Sequence, residues 1–255
     1  MIYYKSNKNT MNPVLIILGV VIAILIYVLY RYFTVRSTTI QSSASLKTPV
    51  TQITDIQSPT STRYAYGIWV YINSWDINAN KTIFSRKDNL ILYLDKSSPT
   101  LKLDMFMSNS TSATPVKETL TITDNFPIQK WCYVIVSVDN QFADVYIDGK
   151  LVKSKRFYTV TGSGSASTGN MPKTPGDITV PVFLGNSDVT IQPFTSFDAY
   201  VAMFKRWTGP IDPQTAWSTY MAGNGGNSLT KTLSSYGVNV AILKDNVVQS
   251  KFALL

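Results

Sequence analysis

The chain has no histidine, a single cysteine at Cys132 and a single glutamate at Glu118 in 255 residues. Without histidine there is no Ser-His-Asp or Cys-His catalysis, no histidine acid-base step and no histidine-based zinc site. One cysteine cannot form an internal disulfide. Cys132 alternates with Val134, Val136 and Val138, which reads as a buried apolar position rather than a reactive thiol. The absence of disulfides leans toward a reducing compartment. The sequons Asn80-Lys81-Thr82 and Asn109-Ser110-Thr111 pull the other way, but they are chance-level matches in a chain so rich in Asn, Ser and Thr.

Charge is absent from Pro13 to Tyr30, a span of about 27 Å as a helix. Asn12 and Pro13 suit a helix start, and Tyr27, Tyr30, Tyr32 and Phe33 gather at the other end beside Arg31. This predicts a membrane anchor over 13–35, with Pro13, Leu18, Ile22, Ile26, Tyr30 and Arg31 marking it. The charge of +8 divides evenly: Lys5, Lys8, Arg31 and Arg36 carry half of it with no acid among residues 1–36, so the remainder is only mildly basic. Residues 1–12 read as a short polar N-terminus. Residues 36–62, half Ser and Thr with Pro49 and Pro59, read as a stalk, within which Val50 to Ile56 allows a short strand.

From residue 63 the pattern is strands. Trp131 to Val138 is apolar on both alternating faces and predicts a strand buried between layers. Asp139-Asn140-Gln141 turns it into Phe142–Ile147, and Asp148-Gly149 predicts a two-residue hairpin turn into Leu151–Lys155. Leu101, Leu103, Met105 and Met107 alternate with Lys102, Asp104 and Phe106, a half-buried strand.

These blocks resemble the laminin-G-like, concanavalin A-like jelly rolls. The resemblance rests on YAYGIWVYI (64–72), TIFSRKDNLILYL (82–94), the Trp131 strand with its Tyr-Ile-Asp-Gly-Lys hairpin, VFLGN (182–186), FDAYVAMFKRW (197–207) and a closing helix IDPQTAWSTY (211–220). It departs from the pattern at Ala199, where many members carry glycine. It implies an all-β antiparallel sandwich over 63–222, here preceded by one transmembrane helix. Residues 223–255 lie beyond it and predict a hairpin of Val238–Leu243 with Val247–Leu255.

Some folds of this type are glucanases with two glutamates on one strand. Glu118 stands alone, and no two aspartates have that spacing, so the chain reads as non-enzymatic, without a cofactor. Related lectin folds also bind calcium through loop oxygens. Asn186 and Asp188 could serve that role or be ordinary turn formers. Lys150, Lys153, Lys155 and Arg156 read either as phosphate contacts or as charges that keep an edge strand unpaired. Trp69 and Trp131 read as core, and Trp75 as a sugar-stacking residue or a rim contact.

The small-residue segment 161–177 and the C-terminal hairpin offer Thr161, Asn170, Asp177, Val238, Val240 and Ile242 as candidate partner contacts. Anchor, stalk, sandwich and tail together resemble in layout the membrane-anchored capsid-associated proteins of large icosahedral double-stranded DNA viruses. The expected function is a structural protein joining a lipid bilayer to coat or capsid proteins in the virion membrane, with the β domain facing the capsid and no nucleic acid bound. The alternative is a membrane-tethered lectin that binds glycans through loops at one end of the sandwich.

Overall fold

The computed structural model describes residues 13–33, 37–109, 115–161, 168–190, 192–225, 239–244 and 247–253. Helix α1 (Pro13–Phe33) forms where the uncharged run predicts it and is a separate unit from Ser37–Leu255. Its side chains are described from Ile17 to Leu29, all exposed. Among the described residues no helix is long and apolar enough to cross a membrane. The transmembrane anchor expected over 13–35, marked by Pro13, Leu18, Ile22, Ile26, Tyr30 and Arg31, is corrected accordingly.

The rest is a two-layer antiparallel sandwich. The chain runs through β1 (Ser37–Ser45), β2 (Arg63–Ile72), β3 (Lys81–Arg86), β4 (Leu90–Leu94), β5 (Leu101–Phe106), β6 (Lys117–Thr123), β7 (Cys132–Asp139), β8 (Phe142–Ile147) and β9 (Lys150–Arg156). It continues through β10 (Thr159–Thr161), β11 (Thr168–Asn170), β12 (Val182–Leu184), β13 (Ala199–Trp207), α2 (Pro213–Met221), β14 (Asn239–Lys244) and β15 (Val247–Ala253). One sheet is ordered β1-β13-β2-β7-β8-β9 and the facing one β12-β3-β4-β5-β6, while β10-β11 and β14-β15 form two separate pairs.

Period-2 alternation builds the core between the layers. Tyr64, Tyr66, Ile68 and Val70 of β2 and Cys132, Val134, Val136 and Val138 of β7 meet Leu90, Leu92 and Leu94 of β4 and Leu101, Leu103 and Met105 of β5. The opposite face of the six-stranded sheet is also covered. Trp69, Tyr133, Ile135, Tyr146 and Trp207 form a second apolar cluster with Ile211 and Ala216, at and just before α2. That explains why β2 and β7 are apolar on both faces, as a strand between two layers must be.

The Asp148-Gly149 turn has φ of 49° and 76°, the left-handed pair that a two-residue hairpin of this twist requires. Ala199 opens β13 opposite Ile72, fully buried, with no left-handed backbone to demand glycine there. The Ser/Thr-rich residues expected as a stalk instead form β1, which pairs with β13 along its length. Leu46, Ile53 and Ile56 then drop into the core, and Ile53 bridges to Val182. Alternation of small polar residues hides an edge strand well, because nothing in the side chains distinguishes it from a linker.

Candidate functional site

The inward leucines of β4 and β5 force their neighbours outward, so the outer face of the five-stranded sheet carries Ile91, Tyr93, Lys102 and Asp104. Register places Ile91 opposite Asp104, Tyr93 opposite Lys102 and Asp104 opposite Thr119. Ile91, Tyr93 and Asp104, with Asn80, Lys96, Lys117 and Gln192, line an open groove of about 450 Å³, a size typical of small-ligand sites.

Asp104 is 5% exposed and organises the groove floor. Its Oδ1 accepts from Tyr93 Oη at 3.2 Å and Thr119 Oγ1 at 2.7 Å, and its Oδ2 from Lys117 Nζ at 2.9 Å. Burial, and then the adjacent Asp104 charge, push the Tyr93 phenol up to about 12, so it stays a neutral donor. At the end of β4, Asp95 takes Lys102 Nζ at 2.6 Å and the Ser97 amide and hydroxyl. The lysine contact leads in lowering its carboxyl to about 2. One wall is Lys81, 2% exposed, whose ammonium donates to the carbonyls of Ala79 and Lys96 at 3.0 and 2.9 Å and lies 4.3 Å from the Trp75 ring centre. Burial lowers the pKa of this lysine.

The arrangement offers a half-buried aromatic ring among fixed donors and acceptors, and no catalytic group. A glycosidase acid needs a carboxyl held protonated, and Asp95 is shifted the opposite way. Glu118 is ion-paired with Lys155 at 2.7 Å. Cys132 is buried, and burial pushes its thiol up, away from nucleophilic thiolate.

Residues singled out in the sequence lie elsewhere. Trp75 is half-buried with the Lys81 ammonium over its ring, so it packs against the core and leaves that face closed to a sugar. Asn186 is buried and its amide is spent inside the fold, accepting from the Thr82 amide and Gln192 and donating to Asn80 and Thr195 carbonyls. Asp188 turns Oδ1 to the amide and hydroxyl of Thr190. Among the described residues no three acidic or cysteine side chains gather into a metal cluster.

Thr161 pairs with Thr168 in the β10-β11 hairpin. Asn170 is buried, its Oδ1 accepting from Ser108 Oγ at 3.0 Å and the Asn109 amide at 3.2 Å. Asp177 is exposed, holds Thr179 through Oδ1 and gives its carbonyl to Arg86. Val240 and Ile242 lie in β14 opposite Phe252 and Ser250, and Val238 falls outside the described residues. Thr161, Asn170 and Asp177 do not line the groove. The groove residues carry a signal that sequence reasoning passed over: Asp104 and Tyr93 are the outward positions of two strands whose inward positions are unambiguous.

Comparison with known proteins agrees with this architecture. A family model described as the concanavalin A-like lectin/glucanases superfamily matches residues 46–217. No curated protein sequence matches the chain. Among solved structures, the binding domain of botulinum neurotoxin serotype D matches with a TM-score of 0.51 and 11% identity, over 74% of this chain and 45% of that one. A Trypanosoma rangeli sialidase in complex with 2,3-difluorosialic acid matches with a TM-score of 0.41 and 12% identity, over 63% of this chain and 23% of that one. The chain spans less than half the length of these solved chains, and the likeness is one of fold.

The layout resemblance to capsid-associated viral proteins is overturned with the anchor: the matched family is that of the concanavalin A-like lectins and glucanases. The minor-capsid reading, with a lipid bilayer and coat proteins as partners and a virion-membrane location, therefore does not stand. With its two facing antiparallel sheets and a match running from the end of β1 into α2, the chain belongs to the concanavalin A-like lectin/glucanases superfamily.

Proposed function

We propose that this protein is a non-catalytic glycan-binding module whose ligand lies in the groove on the outer face of the five-stranded sheet. The observation that carries the reading is Tyr93, an aromatic ring presented beside a buried, fully engaged Asp104 and a rim of lysine and amide groups. Aromatic rings take the C–H face of a sugar, and the polar rim takes its hydroxyls; sites of this kind fix orientation with a few placed polar groups. Membership in a superfamily of lectins and glucanases supports the same ligand class, while the lone, ion-paired Glu118 argues for the lectin side of that family.

A glycan array probed with the full chain, followed by calorimetric titration with the strongest oligosaccharide, tests it. Tyr93→Ala and Asp104→Asn are each expected to weaken binding by about tenfold or more. An array with no bound glycan, or binding that both variants leave intact, overturns the reading.

A further inference from the structure

Strand β6 reaches two grooves. Lys117 at its start lines the groove just described, and Thr123 at its end, about 20 Å along the strand, lines another of about 470 Å³. The second groove is walled by Trp217 and Tyr220 of α2, Asp148 of the tight turn, Lys150 of β9 and Asn125 from the loop after β6.

Its aromatic wall is held firmly. The helix is capped by Asp212, whose Oδ1 accepts from the Thr215 amide at 2.6 Å, and Ala216 is fully buried beneath it. Tyr220 stacks on Trp69 with ring centres 5.5 Å apart. A Cβ on Gly149 would lie 2.9 Å from Trp217 Cε3 and 3.0 Å from its Cα, so the tryptophan sits directly on the turn. Yet Trp217 is 46% exposed. A large flat side chain fixed on a helix and left half in solvent contributes less to the core than it could.

The polar groups beside it narrow the occupant. Asp148 is oriented by its Oδ1, which accepts from the Tyr133 amide at 2.9 Å. Lys150 is exposed and has no carboxylate within ion-pair distance among the described residues. An apolar partner laid on Trp217 would strip water from these charges without replacing it. A pyranose ring meets both demands, with its C–H face on the indole and its hydroxyls on carboxylate, ammonium and amide. One carboxylate and one ammonium at the rim favour a neutral sugar over a charged one.

We propose that the Trp217 groove is a second carbohydrate site, for a neutral pyranoside, sharing none of its lining residues with the first. It does not depend on the first groove binding anything.

The five tryptophans give separable indole N–H resonances, and Trp217→Phe assigns that of Trp217. The full chain is titrated with methyl β-glucopyranoside, methyl α-mannopyranoside, methyl β-galactopyranoside and N-acetylglucosamine. At least one is expected to shift the Trp217 signal saturably. Trp217→Ala, followed through the shifts of residues around Asn125, should weaken that sugar by about tenfold or more, and Tyr93→Ala should leave its affinity unchanged. If Trp217→Ala fails to fold, the exposed-site variants Lys150→Ala and Asn125→Ala are expected to weaken the same sugar. No saturable shift with any of the four, or equal affinity in the Trp217, Lys150 and Asn125 variants, overturns the second site. Sugar binding lost in Tyr93→Ala but kept in those variants overturns it too, while leaving the first groove standing.

Discussion

Arg86 of β3 and Arg206 of β13, one from each sheet, grip consecutive carbonyls of a single segment: Arg206 takes Gln57 and Ser58, and Arg86 takes Pro59. Arg86 is 1% exposed and also donates to the carbonyls of Val180, Gly176 and Asp177. Arg206 is 3% exposed and additionally meets the Tyr66 hydroxyl. Neither guanidinium has a carboxylate within ion-pair distance among the described residues. Their charge is solvated by carbonyl dipoles, which the planar five-donor fork suits and a lysine does not.

Arg86→Met should therefore cost about 3 kcal/mol or more, because it strands several inward-facing carbonyls at once. Arg86→Lys should recover only part of that loss. Urea denaturation of the three proteins checks the order, and a methionine variant as stable as the parent would show that these carbonyls find other partners.

Gly67 sits mid-strand in β2 because the space above it is taken. A Cβ there would lie 2.5 Å from Tyr133 Oη and 2.9 Å from Trp207 Cζ3. Gly67→Ala is expected to destabilise by about 1–3 kcal/mol through overpacking, despite the better strand propensity of alanine. Thermal melts with near-ultraviolet dichroism of the Trp207 and Tyr133 environment will show it.

Cys132 should be inert in the native state. It is fully buried, and burial raises the pKa of its thiol, so little thiolate forms at neutral pH. Iodoacetamide is expected to label it only at the rate of unfolding, with rapid labelling in denaturant. Fast stoichiometric labelling of the folded chain would contradict this placement.

Asp95 links stability to pH. Its folded-state pKa of about 2 lies below the ordinary carboxylate value of about 4, so the native state favours the ionised form. The contribution is present in full above about pH 4 and is lost as pH falls through about 2. Asp95→Asn should lower the melting temperature near neutral pH, and the gap from the parent should close across that acidic window. The ion pair with Lys102 is partly exposed, so salt should narrow the gap as well.

Strand identity and pairing were legible wherever one side of a strand had to be apolar: β4, β5 and β7 and the Asp148-Gly149 turn all follow from local chemistry. The second apolar layer was half legible. Trp69 and Tyr133 announce a covered outer face, but only the folded chain shows that α2 and its approach cover it. Both grooves were illegible for a different reason. Tyr93, Asp104 and Lys117 come from three strands, and Trp217, Asp148 and Asn125 from a helix, a turn and a loop, so their proximity exists only through register and topology. Thr161, Asn170 and Asp177 were chosen from composition as candidate partner contacts, and composition does not show that Asn170 pins a hairpin to Ser108 and Asn109.

The pairing of β1 with β13 sets where this domain can be cut. The family match begins at residue 46, one position after β1 ends, so the edge strand lies outside it. A fragment trimmed to that boundary would uncover the hydrogen-bonding row of the nine-residue β13, beside Val201 and Phe204, as a bare sheet edge. Such a fragment invites strand exchange between molecules. One that starts at Ser37 keeps the Ser/Thr strand in place as the sheet's own polar border.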